Sequence, residues 1–297
     1  MNLRSLYGLT KTALRNWSAD FAPSMGAALA YYTVFSVAPL FVIAIAIAAL
    51  VFGQDAAHAA ILDQARGLIG DNATKAIEGM LVSAQKPKEG ALASVLGIGA
   101  LLVGATSVFA ELESNLNRIW KVEPNKTSGI RYFIRTRFLS FGLVLTIGFL
   151  LIISLVVSAA IAAWGTYWAG WFGSMEALLH AANFVVSVGV VTVLFAIIYK
   201  FMPQVSIHWR DVWIGALVTS LLFSLGKFLI GLYIGKAGVE SSYGAAGALV
   251  VLLVWVYYSA QIFLMGAEFT KAYAESHGSR QNDKPRKARR STKPARA

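Results

Sequence analysis

Six long stretches of the chain contain no Lys, Arg, Asp or Glu: residues 21–54, 90–110, 138–175, 177–199, 212–226 and 241–267. The fifth stretch continues to Gly235 with Lys227 as one interruption. A helix of about 20 apolar residues crosses the hydrocarbon core of a bilayer, and each stretch can supply one. Backbone polar groups in lipid must be paired within their own segment, which favours α-helices. The sequence therefore predicts an all-α polytopic membrane protein, a bundle of six transmembrane helices.

Composition agrees with this class. Hydrophobic residues make up 57% of the 297 residues and charged residues 14%, whereas soluble domains carry about 25% charge. We expect no cleavable signal peptide, because the first residues are charged and lack an apolar core. The predicted organisation is an N-terminal arm (1–23), a membrane domain (24–275) and a polar tail (276–297). The six spans are placed at about 24–52, 90–110, 138–163, 181–199, 212–234 and 244–267.

Basic residues fall mainly in alternate gaps between these spans. The N-terminal arm, the 111–137 and 200–211 loops and the segment after the last span (268–297) hold 20 Lys and Arg residues, and the other three gaps hold 5. Because basic residues mark the cytoplasmic side, we expect both termini in the cytoplasm. In the outer 53–89 loop, apolar residues recur at helical spacing around a break at Gly70. This pattern predicts two short amphipathic helices near the outer surface, which either pack against the bundle or cap a cavity.

The tail has eight basic residues between Arg280 and Arg296 and too few apolar residues to form a core. We expect it to be disordered and to contact anionic lipid headgroups. No aromatic interleaving or folded reader accompanies the charge, so no specific nucleic acid is expected as a partner. The residues assigned to the lipid surface are Arg286, Lys287, Arg289 and Arg290.

Three residues of the first span share one helix face, namely Tyr32, Ser36 and Pro39. Pro39 lies in the middle of the span, where it removes the hydrogen bond to the Phe35 carbonyl and predicts a kink. The freed carbonyl needs a partner at membrane depth. Either neighbouring helices repair the kink, or this face forms the wall of a polar pocket.

A stripe of small residues in the second span (Gly97, Ala100, Gly104 and Ser107) continues into polar residues at the predicted cytoplasmic face. Those polar residues are Glu111, Asn115 and Arg118, which either gate a cavity or form a hydrogen-bonded plug. Small residues allow helices to approach closely. The same faces can also pack against a second copy of the chain, so a homo-oligomer is among the expected partners.

The sixth span places Tyr257, Gln261 and Glu268 on one face. Gln261 lies well inside the membrane, where polar side chains seek protein partners or water. Lys227 in the fifth span lies about 10 Å from its outer end at 1.5 Å per residue. Lys227 either snorkels outward or forms a structural ion pair, or it belongs to a substrate or proton site.

Sequence patterns of enzymes are missing from the chain. It has no Cys, no HExxH, no Walker A motif and no GxSxG, and its four His residues are scattered. We therefore expect no enzyme activity, no cofactor and no metal site.

Three linked segments resemble the YihY/virulence factor BrkB family of six-span inner-membrane proteins. They are residues 27–39 (AALAYYTVFSVAP), residues 109–120 (FAELESNLNRIW), and residues 243–247 (YGAAG) through 266–268 (GAE). The resemblance covers roughly residues 10–275. It implies a multi-pass protein of the bacterial inner membrane with an envelope function, and it assigns no substrate. Members of this family have carried the label ribonuclease BN, but this chain lacks the clustered acid–base or metal-binding residues of a hydrolytic ribonuclease.

Three functions were weighed. The leading hypothesis is a transporter or exporter of a small solute or lipid without its own nucleotide hydrolysis, because Gly- and Pro-interrupted spans indicate such sites. The alternative is a non-transporting envelope scaffold or assembly factor. A ribonuclease is disfavoured.

Overall fold

The computed structural model describes residues 3–84, 104, 107–122, 142, 175–237 and 247–281. Over these ranges the chain forms helices and no strands, which confirms the predicted all-α class. The eight helices are α1 (Leu3–Ala19), α2 (Ala22–Phe52), α3 (Gln54–Ile69), α4 (Asp71–Ala84), α5 (107–119), α6 (Met175–Phe201), α7 (Trp209–Ala237) and α8 (Gly247–Ser276).

Four of these helices contain segments long and apolar enough to cross a membrane. The segments are Ala22–Leu50, Asn183–Phe201, Trp209–Tyr233 and Gly247–Ser276. They overlap the predicted first, fourth, fifth and sixth spans. The predicted second and third spans, 90–110 and 138–163, lie largely outside the described residues. The count of six spans and the cytoplasmic placement of both termini therefore stay predictions.

The chain turns between the first four helices at residues with positive φ. Phe21 separates α1 from α2 in the left-handed region, at φ 59° and ψ 40°. Gly53 and Gly70, at φ 81° and 83°, separate α2 from α3 and α3 from α4. Glycine adopts these angles without a Cβ clash. The two helices predicted for the 53–89 loop are thereby confirmed, with their break at Gly70.

Helix α4 packs against α2 and α8 instead of standing apart. Its Ala73, Ile77 and Leu81 are almost completely buried and contact a core shared with Val251 and Leu252 of α8. Since these α4 residues recur every four positions, they form one helix face. Of the two roles expected for this helix, packing against the bundle or capping a cavity, its contacts show the packing.

Helix α8 is the central element of the described structure. It packs against α1, α2, α4 and α7, and every residue from Phe263 to Ala274 except Met265 is buried. This buried run includes the charged residues Glu268 and Lys271. The predicted sixth span ended at residue 267, where charge begins, but the helix continues to Ser276. The two charges are enclosed by protein.

Reciprocal pairs of Gly and Thr bring α7 and α8 together. A Cβ on Gly215 would clash with Thr270 Oγ1, and a Cβ on Gly266 would clash with Thr219 Oγ1. Each Thr hydroxyl in turn donates to a carbonyl of its own helix, at 2.7 Å in both cases. Small residues facing hydroxyls permit close backbone approach, as is typical of helix pairs in membranes.

Candidate functional site

Ser36 of α2 joins the first span to the segment before α5. It is completely buried, and its Oγ lies 2.8 Å from Tyr32 O and 2.9 Å from Ser107 Oγ. Gly104 packs against the proline ring, since a Cβ there would lie 3.1 Å from Pro39 Cγ and 3.2 Å from Phe35 O. The carbonyl freed by Pro39 therefore faces Gly104. The Tyr32 side chain is exposed, so Ser36 is the polar group of this face that points into protein.

Gln261 of α8 reaches across to the start of α2. Its Nε2 lies 3.5 Å from Ala22 O, at the limit of hydrogen bonding. A Cβ on Gly26 would clash with this amide, so Gly26 makes room for it. Gln261 Oε1 is buried and has no hydrogen-bond partner. The amide also lines an apolar groove of about 250 Å³ that includes Trp17, Tyr258 and residues of α7.

On α5 the structure separates the three polar residues predicted together. Asn115 is buried, and its Nδ2 has no hydrogen-bond partner. Glu111 is half-buried and Arg118 is exposed. Two other polar residues of this helix, Glu113 and Asn117, lie one turn apart and accept hydrogen bonds.

Glu113 and Asn117 hold the loop that follows α6. Gln204 Nε2 donates to Glu113 Oε1 at 2.7 Å, and Gln204 N donates to Asn117 Oδ1 at 2.7 Å. Sequence reasoning missed both contacts. Their four-residue spacing was the available signal, but it competed with the stripe through Glu111 and Asn115.

Lys227 lies apart from the other polar residues. Its side chain is exposed, and its Nζ donates to Gly67 O of α3 at 3.1 Å. Gly67 belongs to the last turn of α3, where carbonyls lack helical partners and a cation is favourable. The contact fits an outward-snorkelling lysine that stabilises the end of α3. Tyr257 is also exposed, whereas Glu268 on the same predicted face is completely enclosed.

Glu268 is the centre of a charge cluster, which we define as the buried residues Asp20, Glu268 and Lys271 together with Lys121, whose side chain is 60% exposed. Glu268 is 0% exposed, and neither of its carboxylate oxygens has a hydrogen-bond donor. Asp20 is 8% exposed and forms an ion pair with Lys121 through Oδ1, while its buried Oδ2 has no donor. The charges of Lys271, Asp20 and Lys121 all act on Glu268, and the Asp20 carboxyl is within hydrogen-bonding range of it.

The backbone beside this cluster is unusual. Phe21 and Lys121 are the non-glycine residues with positive φ in the described ranges, and each is in the Asp20–Lys121 pair or adjacent to it. Non-glycine residues in this conformation are uncommon, and such strain concentrates at functional sites. The α1–α2 turn and the end of α5 thus meet at a strained junction against the middle of α8's buried half.

Chemically, the cluster suits a proton or a charged group. Within the described part of the chain, no group of three or more His, Cys, Asp or Glu residues could hold a metal ion. Two enclosed carboxyls with three oxygens lacking donors form a site that can accept hydrogen bonds from a bound donor. Of the cluster, sequence reasoning identified only Glu268. Two signals for the other residues were available. Asp20 is the single acidic residue of the basic N-terminal arm, and Lys271 lies three residues after Glu268.

The residues after α8 fold back onto the start of α7. Ser279 donates to the buried Asp211 carboxylate through its backbone N (2.8 Å) and its Oγ (2.7 Å). The Arg280 guanidinium lies 5.7 Å from the Trp120 ring centroid. These contacts anchor residues 277–281 at one end of the bundle. The residues assigned to the lipid surface, Arg286, Lys287, Arg289 and Arg290, lie outside the described residues.

Comparison with known proteins gives a consistent family. Residues 13–291 match the family described as virulence factor BrkB. A "UPF0761 membrane protein" of Verminephrobacter eiseniae is 28% identical over 274 residues, which is 90% of this chain and 62% of that protein. Proteins of the same name from Albidiferax ferrireducens and Psychromonas ingrahamii are 30% and 31% identical, over 86% and 83% of this chain and 60% and 81% of theirs.

No solved structure matches the chain. The chain spans about three-fifths of the length of the first two relatives, at 62% and 58%. The family match nevertheless covers nearly the whole of this chain. It agrees with the motifs in residues 27–39 and 109–120 and with the apolar helices of the structure. The chain belongs to the virulence factor BrkB family of membrane proteins.

Proposed function

We propose that the protein is a transporter or exporter of a small solute or lipid in the bacterial inner membrane, working without its own nucleotide hydrolysis. The observation that carries the proposal is Glu268. A carboxyl is enclosed in the centre of a helix bundle, and no donor satisfies either of its oxygens. Ionisable groups at such positions are costly, and in membrane proteins they mark substrate and ion pathways.

The neighbouring polar atoms support a pathway between α2, α5 and α8. Gln261 Oε1 and Asn115 Nδ2 are buried without partners. An unpaired buried polar group costs about 1–3 kcal/mol, so each of these groups needs an explanation, and a polar solute or ion between the helices would supply one. Tyr32, Ser36, Glu111, Arg118 and Tyr257 have weaker support as pathway residues, because each is exposed, half-buried or already hydrogen-bonded. Lys227 is left out of the pathway, because its ammonium group donates to Gly67 O at the end of α3.

The scaffold alternative has less support from the packing. It relied on small-residue faces that would be available for contacts with other chains. Gly26, Gly215, Gly226 and Gly266 instead accommodate side chains of this chain's own helices. Their role in close packing is already accounted for within one molecule.

The test is flux in proteoliposomes, using a panel of metabolites and labelled lipids. We expect flux of at least one panel member with the wild type, and a loss of roughly 10-fold or more with Glu268→Gln, within the range of typical coupling free energies. Gln keeps the size of the side chain and removes its ability to ionise. The matched control is Glu275→Gln, the same change one to two turns along α8 at a half-buried position.

A wild type without flux for any panel member contradicts the transport proposal and favours the scaffold. Equal flux in wild type and Glu268→Gln removes Glu268 from the pathway. Loss of flux in Glu275→Gln as well would point to a general effect of charge at this end of α8. Insertion is checked for every variant by size-exclusion chromatography in detergent.

A further inference from the structure

Asp20 and Glu268 come from distant parts of the chain and meet in one enclosed site. Asp20 lies in the turn between α1 and α2, and Glu268 lies in α8. Three oxygens of the two carboxyls, Asp20 Oδ2 and both oxygens of Glu268, are buried and lack a donor. The fourth oxygen, Asp20 Oδ1, accepts from Lys121. Both side chains are more than nine-tenths buried.

Two ionised carboxylates in this arrangement would repel each other without compensation from water. A hydrogen bond between two carboxyl groups requires a proton on one of them, and that single proton removes the repulsion and supplies the missing donor. Asp20 Oδ1 already accepts from the Lys121 ammonium group, which leaves Asp20 Oδ2 as the oxygen of this carboxyl without a donor. The proton then belongs on Glu268, which donates to Asp20 Oδ2.

We propose that Asp20 and Glu268 share one proton, and that this proton is the coupling ion of transport. The second half of this inference rests on the proposed function. The ionisable groups that act on Glu268 within the described structure are Asp20 of the α1–α2 turn, Lys121 after α5 and Lys271 of α8. The pair is therefore bounded by a cation on each side. One proton leaves the cluster of two acids and two lysines with a single positive charge.

Release of the proton has a mechanical consequence. Glu268 becomes a second anion facing Asp20, so the α1–α2 turn and α8 repel each other. Phe21 and Lys121, the two residues in left-handed backbone conformations, adjoin this contact on both sides. Opening of the junction would relieve the backbone strain at these two residues. Protonation closes the junction and deprotonation loosens it.

Infrared spectroscopy of the reconstituted protein tests the shared proton without any substrate. We expect the wild type at about pH 6 to show the carbonyl stretch of a protonated carboxyl in a dry site, shifted in heavy water. Glu268→Gln should remove the band. Asp20→Asn should remove it too, because an Asn amide donates to an ionised Glu268 and takes the place of the shared proton.

The matched control is Glu113→Gln. Glu113 is 2% exposed, but it accepts from Gln204 Nε2, so this variant should keep the band. A wild type without the band, or a band that survives Glu268→Gln, overturns the shared proton. A band that is lost in Glu268→Gln and unchanged in Asp20→Asn shows a proton on Glu268 alone and overturns the sharing. Glu268→Asp, which keeps a carboxyl, should retain a shifted band and controls for misfolding.

Proton movement during flux tests the coupling. A pH-sensitive dye inside proteoliposomes should report proton movement that accompanies solute flux in the wild type and is absent in Glu268→Gln. Flux without proton movement overturns the coupling and leaves the transport function intact. The band without any flux contradicts the proposed function, and with it the coupling, while the shared proton stands.

Discussion

At the scale of single residues, apolar surroundings made several polar positions predictable. Ser36, Asn115, Gln261 and Glu268 were identified from the sequence, and each is buried or half-buried in the structure. A polar side chain in an apolar helix has to face protein or water, so its position is informative by itself. Its partner is not. Asp20 pairs with Lys121 across 101 positions of sequence, and no helical spacing connects residues in different elements.

Lys227 shows the same limit. The sequence left open whether it snorkels, pairs or binds substrate, because all three depend on what lies opposite. The structure places the carbonyl of Gly67, in the last turn of α3, opposite its ammonium group. A cation at a helix C-terminus stabilises by roughly 0.3–1 kcal/mol. Lys227 thus fixes α3 to α7 from the exposed side of the bundle.

We expect Lys227→Met to lower the melting temperature slightly, by the loss of roughly 0.3–1 kcal/mol, and to leave flux unchanged. Thermal unfolding in detergent and the proteoliposome assay measure the two effects. Lys11→Met, at an exposed position of α1, is the control for loss of one positive charge. Loss of flux in Lys227→Met alone would return this lysine to the transport pathway.

At the scale of helices, the sequence predicted which helices exist better than it predicted where each helix ends. Charge-free stretches predicted α2, α6 and α7 well, because lipid excludes charge from their exposed faces. The same rule does not predict where the last helix ends, because α8 continues past the predicted span end at residue 267 to Ser276. Glu268 and Lys271 lie within α8 because other helices surround them, and that depends on tertiary packing. The break between α3 and α4 was predictable, since Gly70 needs no tertiary partner to adopt its angle.

The Gly–Thr pairs between α7 and α8 allow a direct test of helix packing. Gly215→Ala places a Cβ against Thr270 Oγ1, and overpacking of this kind costs about 1–3 kcal/mol. Gly231→Ala is the matched control on the same helix, because no atom lies within 4 Å of its Cβ position. We expect Gly215→Ala to lower the melting temperature and Gly231→Ala to keep or raise it, since Ala is the better helix former. Equal melting temperatures would refute the close α7–α8 contact.

At the scale of the whole molecule, composition alone predicted a helical membrane protein, and the motifs predicted its family. The orientation rests on a different kind of argument, the sum of Lys and Arg residues over alternate gaps. The structure adds a constraint to it. Phe21 turns the chain at the start of α2, and Gly53 turns it at the end, so the two turns lie at opposite ends of one candidate span. If one of these turns is assigned to one side of the membrane, the other turn therefore lies on the opposite side.

The absence of Cys makes this orientation measurable with single introduced thiols. Ser18→Cys, before the Phe21 turn, and Ala59→Cys, after the Gly53 turn, are both at exposed positions. In spheroplasts, we expect a membrane-impermeant maleimide to label Cys at position 59 directly and Cys at position 18 only after permeabilisation. The reverse pattern would place the N-terminus outside. Labelling of both without permeabilisation would mean that α2 does not cross the bilayer. Either result would also place the charge cluster, which lies beside the Phe21 turn, away from the predicted cytoplasmic end of α2.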